Sequence, residues 1–138
     1  MADKVAALGR LSELLAAQVA GADASEVRDA FLAREELGST GIGDGMAIPH
    51  CRVNCSGGIC GVLVRLAAPI DFDSIDRGPV DLIFAVMTPE GESEQHLQTL
   101  AMLAQRFNQH EFRRTLREAV DERALYEAAV ADDPAVRS

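Results

Sequence analysis

The sequence predicts a layered α/β fold, a mixed β-sheet of about four to five strands sandwiched between helices, in a single layered domain spanning residues 1–138. Three observations predict it. Apolar residues recur at helical spacing near the start of the chain. Two strand-length apolar runs follow in the middle, one of them nearly unbroken. Helical periodicity then returns and persists to the end.

Taken in order, Val5, Leu8, Leu11, Leu15 and Val19 fall on one helical face, with Gly21 as the stop. A second helix is predicted from a Ser25 cap to about Glu36, burying Val27, Ala30 and Phe31. Four glycines in the eight residues 38–45 then disfavour helix and regular strand alike, and predict a turn-bearing loop. Met46-Ala47-Ile48 is a short apolar run stopped by Pro49. Proline has a fixed φ and no N–H, so it borders a strand and holds His50 in a defined, exposed direction.

Residues 59–66 and 80–88 are predicted strands. The second is apolar without a break from Leu82 to Met87, as in a sheet interior covered on both faces. Between them, 69–72 is predicted as a separate short edge segment and 76–79 as a turn. Ser93 is placed to cap a helix carrying Leu97, Leu100, Ala101, Ala104 and Phe107. Phe112, Leu116 and Ala119 predict a further helix. Asp121 is placed to cap a last one with Leu125 and Ala128, and 131–138 are expected to fray.

The composition is 48% apolar and 25% charged, enough for an ordinary core. A formal net charge of −9, with Lys4 the one lysine, argues against nucleic acid and suits steering of a basic protein partner. No apolar run reaches the roughly 18 residues of a membrane helix. Residues 1–9 lack a secretory layout, so a cytoplasmic protein without membrane insertion is expected. Cys51, Cys55 and Cys60 are odd in number, and a disulfide framework is not expected.

The residues with chemical potential are few. His50 follows a glycine-rich loop and a proline. A neutral imidazole carries the lone pair needed to attack phosphorus, and an ordinary pKa of about 6.5 leaves that form dominant near neutrality. Glycines allow backbone N–H groups to approach phosphoryl oxygens, and an arginine offers a matched fork of donors. Arg34, near the end of the second helix, is such an arginine, although a cation there also suits the helix dipole. His96 lies in the first turn of a helix, where the dipole favours a neutral ring, and shares a face with Leu100 and Leu103. His110 beside Glu111 is read as exposed or capping.

Other chemistries fit less well. Cys51, Cys55 and Cys60 beside His50 are candidate zinc or redox ligands for a metal- or thiol-responsive binding module, but the spacing contains no CxxC pair. His50 and Cys51 as a nucleophile pair conflict with extended geometry, where neighbours face opposite sides. The glycines match neither nucleotide fingerprint, so no cofactor is implied.

The run Gly41-Ile42-Gly43-Asp44-Gly45-Met46-Ala47-Ile48-Pro49-His50-Cys51 resembles the signature of the fructose/mannitol-type (type-2) enzyme IIA domains of the bacterial phosphoenolpyruvate-dependent phosphotransferase system. The lead-in at 34–40 and the segments at 69–72, 79–84 and 96–100 are similar to the same family, so the resemblance covers roughly 27–125. It implies a mixed sheet between helices. It also implies that His50 accepts a phosphoryl group on Nε2 from an HPr-type carrier, that His96 helps hold the phosphoryl oxygens, and that Arg34 stabilises them. The stretch 34–43 is most similar to the nitrogen-regulatory branch, whose members signal through protein contacts. The sugar-transport branch, which passes the phosphoryl to a IIB domain, is the alternative. Family members usually carry an apolar segment ahead of the first helix, so an edge strand is expected to be missing or shortened here.

Overall fold

The computed structural model describes residues 3–19, 22–53, 60–74, 76–89, 98, 101–102, 105–107 and 109–118. Two compact units divide the chain, Met1–Leu100 and Ala101–Ser138.

Helix α1 (Lys4–Gln18) begins at Asp3, whose carboxylate accepts the Ala6 N–H at 2.8 Å. Its buried stripe is Ala7, Leu8, Leu11 and Leu15, whereas Val5, expected on that stripe, is exposed. Helix α2 (Ala24–Glu36) is capped by Asp23, not by Ser25 as expected. The Asp23 carboxylate accepts the Ser25 N–H at 3.3 Å, so the helix starts earlier and Ser25 lies inside it. Val27 and Phe31 are fully buried, as expected.

The sheet has five strands: β1 (Gly41–Gly43), β2 (Met46–Ala47), β3 (His50–Val53), β4 (Cys60–Ile70) and β5 (Val80–Pro89). The expected mixed sheet of four to five strands is therefore present. Strand β5 is its axis, parallel to β2 and β3 and antiparallel to β4. Met46 lies opposite Leu82 and His50 opposite Val86, an offset of 36 residues in both cases (82 − 46 and 86 − 50). Strands β2 and β3 thus form one line along a single edge of β5, interrupted where Pro49 lacks a donor. The Pro49 carbonyl still accepts the Val86 N–H at 2.9 Å, which keeps the line attached across the gap.

Two expectations about the glycine-rich stretch and its sequel are corrected. Residues 41–43 are strand, paired with β2 in a tight hairpin whose turn residues Asp44 and Gly45 take φ of 57° and 78°. Glycine is required at 41 because a Cβ there would lie 2.2 Å from Ser74 Oγ and 3.0 Å from Ser74 Cα. His50 opens a strand and is half-buried, where an exposed loop position was expected. Strand β4 absorbs Pro69 and Ile70, expected in a separate edge segment. The register slips between Arg65 and Ile70, and that irregularity makes the strand read as two pieces. Residue 59 lies outside the described residues.

Alternation along the strands sends Ala47, Cys51, Val53, Ile83, Ala85 and Met87 to one face, where they pack with Leu8, Leu11, Leu15, Val27 and Phe31 of the two helices. Full burial of a Leu or Phe contributes about 1.5–3 kcal/mol, so this layer holds the sheet in place. Met46, Leu82 and Val86 have the opposite parity and are also fully buried. Burial on both parities explains why β5 reads as an unbroken apolar run.

In the second unit, helical residues at 101–102 and 105–107 precede α3 (His110–Glu118), the helix expected around Phe112 and Leu116. Phe107 and Phe112 pack with ring centroids 5.2 Å apart, and the buried Arg113 donates from Nη1 to the Phe107 carbonyl at 2.9 Å. The helix expected from Asp121 and the tail at 131–138 lie outside the described residues. Among those residues, no helix is long and apolar enough to cross a membrane.

Candidate active site

His50 and Arg34, chosen from the sequence on chemical grounds, meet. Arg34 lies in the last turn of α2, and its Nε–H donates to His50 Nε2 at 3.2 Å. Its Nη1 donates to the Gly38 carbonyl at 2.8 Å, which holds the guanidinium across the helix end. On the other side of the imidazole, Nδ1 lies 3.0 Å from the Ile48 carbonyl.

These partners decide the tautomer. Arginine only donates and a carbonyl only accepts. The ring proton therefore sits on Nδ1, and Nε2 carries the lone pair. Burial strips water from the ring and holds its pKa below 6.5. The Ile48 carbonyl opposes that shift, the Arg34 charge adds to it, and smaller effects of Glu35 and Arg52 raise and lower the pKa respectively. The ring is neutral at neutral pH, with its nucleophilic electron pair directed at a guanidinium.

Of the other candidates, His110 opens α3 and is exposed, in keeping with its expected place beside Glu111. His96 and Cys55 lie outside the described residues. Cys51 points into the core, one residue on from His50 along an extended strand. Among the described residues, no three His, Cys, Asp or Glu side chains gather where they could hold a metal ion. Two of the glycines expected to donate to phosphoryl oxygens have internal duties: Gly38 N–H donates to the Glu35 carbonyl at 3.2 Å and Gly41 N–H to Ser39 Oγ at 3.0 Å.

The sequence reading missed a polar cluster behind the histidine. The Glu35 side chain is 5% exposed and pairs with Lys4 Nζ at 2.7 Å. Thr40 donates to the same carboxylate through its backbone N–H, at 3.2 Å from each oxygen, and through Oγ1. A signal was available in the spacing. Lys4 stands four residues before Leu8, and Glu35 four after Phe31, so each charge extends a buried stripe.

With the site's geometry in place, comparison with known proteins is decisive. Residues 1–129 match the family model for the phosphoenolpyruvate-dependent sugar phosphotransferase system, EIIA 2. The chain belongs to this type-2 enzyme IIA family. Among relatives of this IIA domain, a nitrogen regulatory protein of Pseudomonas aeruginosa is 42% identical over 124 residues, covering 89% of this chain and 80% of the relative. The crystal structure of nitrogen regulatory protein IIA-Ntr from Neisseria meningitidis superimposes with a TM-score of 0.85 at 33% identity, over 94% of this chain and 87% of that one. Mannitol IIA of Escherichia coli shares the fold, with a TM-score of 0.74 at 20% identity over 94% and 90% of the two chains.

Proposed function

We propose that this IIA domain is a phosphocarrier that accepts a phosphoryl group on His50 Nε2 from an HPr-type protein and acts mainly as a nitrogen or metabolic regulator through protein contacts. The observation that carries this is the ring's state: neutral, protonated on Nδ1, and with its lone pair on Nε2 beside an arginine. Transfer forms the Nε2–P bond as the donor's N–P bond breaks, and the donor's ring nitrogen recovers the electron pair. No proton has to leave Nε2.

Arg34 gives up its hydrogen bond to the lone pair and turns its donors to the phosphoryl oxygens, where charge stabilisation is the main task. The Nδ1–H···O=C bond to Ile48 persists and steadies the phosphorylated ring. His96 is assigned by family resemblance to the same oxygens. A cytoplasmic location accords with this chemistry, because phosphoenolpyruvate-derived phosphoryl groups are supplied there.

Intact mass after incubation with phosphoenolpyruvate and the two general phosphotransferase proteins tests the proposal. The expected result is one acid-labile phosphoryl gain, lost in His50→Ala with the fold retained. No gain from a demonstrably active donor would overturn it. A sugar-uptake role, which the family's description as part of a sugar phosphotransferase system supports, shares the His50 chemistry and differs in acceptor. Rapid passage of the phosphoryl to a cognate IIB domain would replace the regulatory role with that one.

A further inference from the structure

We propose that Glu35 is a positioning residue for His50, acting through Thr40 to keep the ring proton on Nδ1 and the reactive electron pair on Nε2. The proposal rests on His50 being the phosphoryl acceptor for its kinetic consequence. Its geometric content stands apart from that.

The connection is a set of hydrogen bonds joined through the backbone of Thr40 and of Ile48. Lys4 Nζ, itself 5.0 Å from the centre of the Phe72 ring, pairs with the Glu35 carboxylate at 2.7 Å. That carboxylate accepts from Thr40 through both the backbone N–H and Oγ1. The Thr40 carbonyl accepts the Ile48 N–H at 3.0 Å, and the Ile48 carbonyl accepts from His50 Nδ1 at 3.0 Å. Thr40 is buried, as are Ile48 and Pro49, so water does not substitute readily for the links through Thr40 and Ile48.

Glu35 also sits next to Arg34 in the last turn of α2. Its carboxylate, held by Lys4 of α1 and by Thr40, fixes where that turn ends and hence where the Arg34 guanidinium stands against Nε2. Both nitrogens of the imidazole are thus oriented from one buried carboxylate. Glu35 touches neither the ring nor the incoming phosphoryl, and its effect reaches them through Thr40, Ile48 and Arg34.

The test joins a spectroscopic and a kinetic readout. Imidazole ¹⁵N chemical shifts, at a pH where the ring is neutral, report which nitrogen of His50 carries the proton. They are compared in the wild-type chain, Glu35→Gln, Thr40→Val and Thr40→Ser, with phosphoryl transfer rates measured on the same samples. The wild type is expected in the Nδ1–H form alone. In Glu35→Gln and Thr40→Val the two ring partners are less firmly held, so a detectable admixture of the Nε2–H form and transfer about ten- to a hundredfold slower are expected, as when a reacting group loses its alignment. Thr40→Ser keeps the hydroxyl and is expected to restore both readouts.

Wild-type shifts and rates in Glu35→Gln would overturn the proposal. If that variant does not fold, equal shifts and rates in Thr40→Val and Thr40→Ser would do so. If wild-type protein accepts no phosphoryl group, the phosphocarrier function fails, and the comparison of tautomers still decides whether Glu35 positions the ring.

Discussion

In the proposed transfer, Arg34 blocks the atom it would serve. Its Nε–H occupies the lone pair of His50 Nε2 and would have to move before that pair could reach phosphorus. Arg34→Ala is expected to fold and to slow phosphoryl transfer, since each charge-assisted contact to the phosphoryl oxygens is worth about 1.5–3 kcal/mol. Single-turnover kinetics with a phosphorylated donor would measure the loss. Arg34→Lys is expected to recover little, because an ammonium lacks the planar fork. The same pair sets a pH dependence. The folded-state pKa of His50 is lowered, first by burial. The neutral ring therefore survives as pH falls below 6.5, and the acid limb of the rate profile should have its midpoint below that value. The linked stability is fully present above 6.5 and is lost as pH falls through the lowered pKa. Urea melts across that range should show an acid-side decline that His50→Ala lacks. His50 and Arg34 were legible in the sequence because imidazole and guanidinium have few competing roles beside glycine and proline. Glu35 and Thr40 were not, because their importance lies in long-range pairing with Lys4 and Ile48.

Among the elements, legibility followed how much of each was decided locally. Helix α1 and strand β5 could be read directly, one from period 3.6 and the other from continuous apolar character. Strands β1, β2 and β3 are two to four residues long; β1 pairs with β2, and β2 and β3 exist because β5, 36 residues further on, supplies their partner. No local pattern specifies such a pairing, and the glycines pointed to a loop. The start of α2 was misplaced by two residues because Asp23 and Ser25 are both good caps. The structure gives the role to Asp23, so Asp23→Ala should lower stability by about 1 kcal/mol and Ser25→Ala by much less. Thermal or urea denaturation of the two variants would show the difference, and a larger loss in Ser25→Ala would return the cap to Ser25.

Across the whole molecule, the formal net charge of −9 is expected to act on encounter rates and not on the proposed chemistry at His50. With a basic donor protein, the bimolecular rate should fall as salt rises from about 10 to 150 mM, over which the screening length drops from about 30 to 8 Å. The transfer step, measured at saturating donor, should change little. A bimolecular rate indifferent to salt would mean that docking is steered by something other than net charge. The unbroken alignment of β2, Pro49 and β3 along β5 bears on how this protein can vary in length. Adding or removing one residue between Met46 and His50 would shift the alternation beyond it. Either change would turn the imidazole into the helical layer, and a removal would also bring the Cys51 thiol into its place beside Arg34. On the proposed function, the residue count of this stretch is fixed by the side of the sheet on which the histidine emerges.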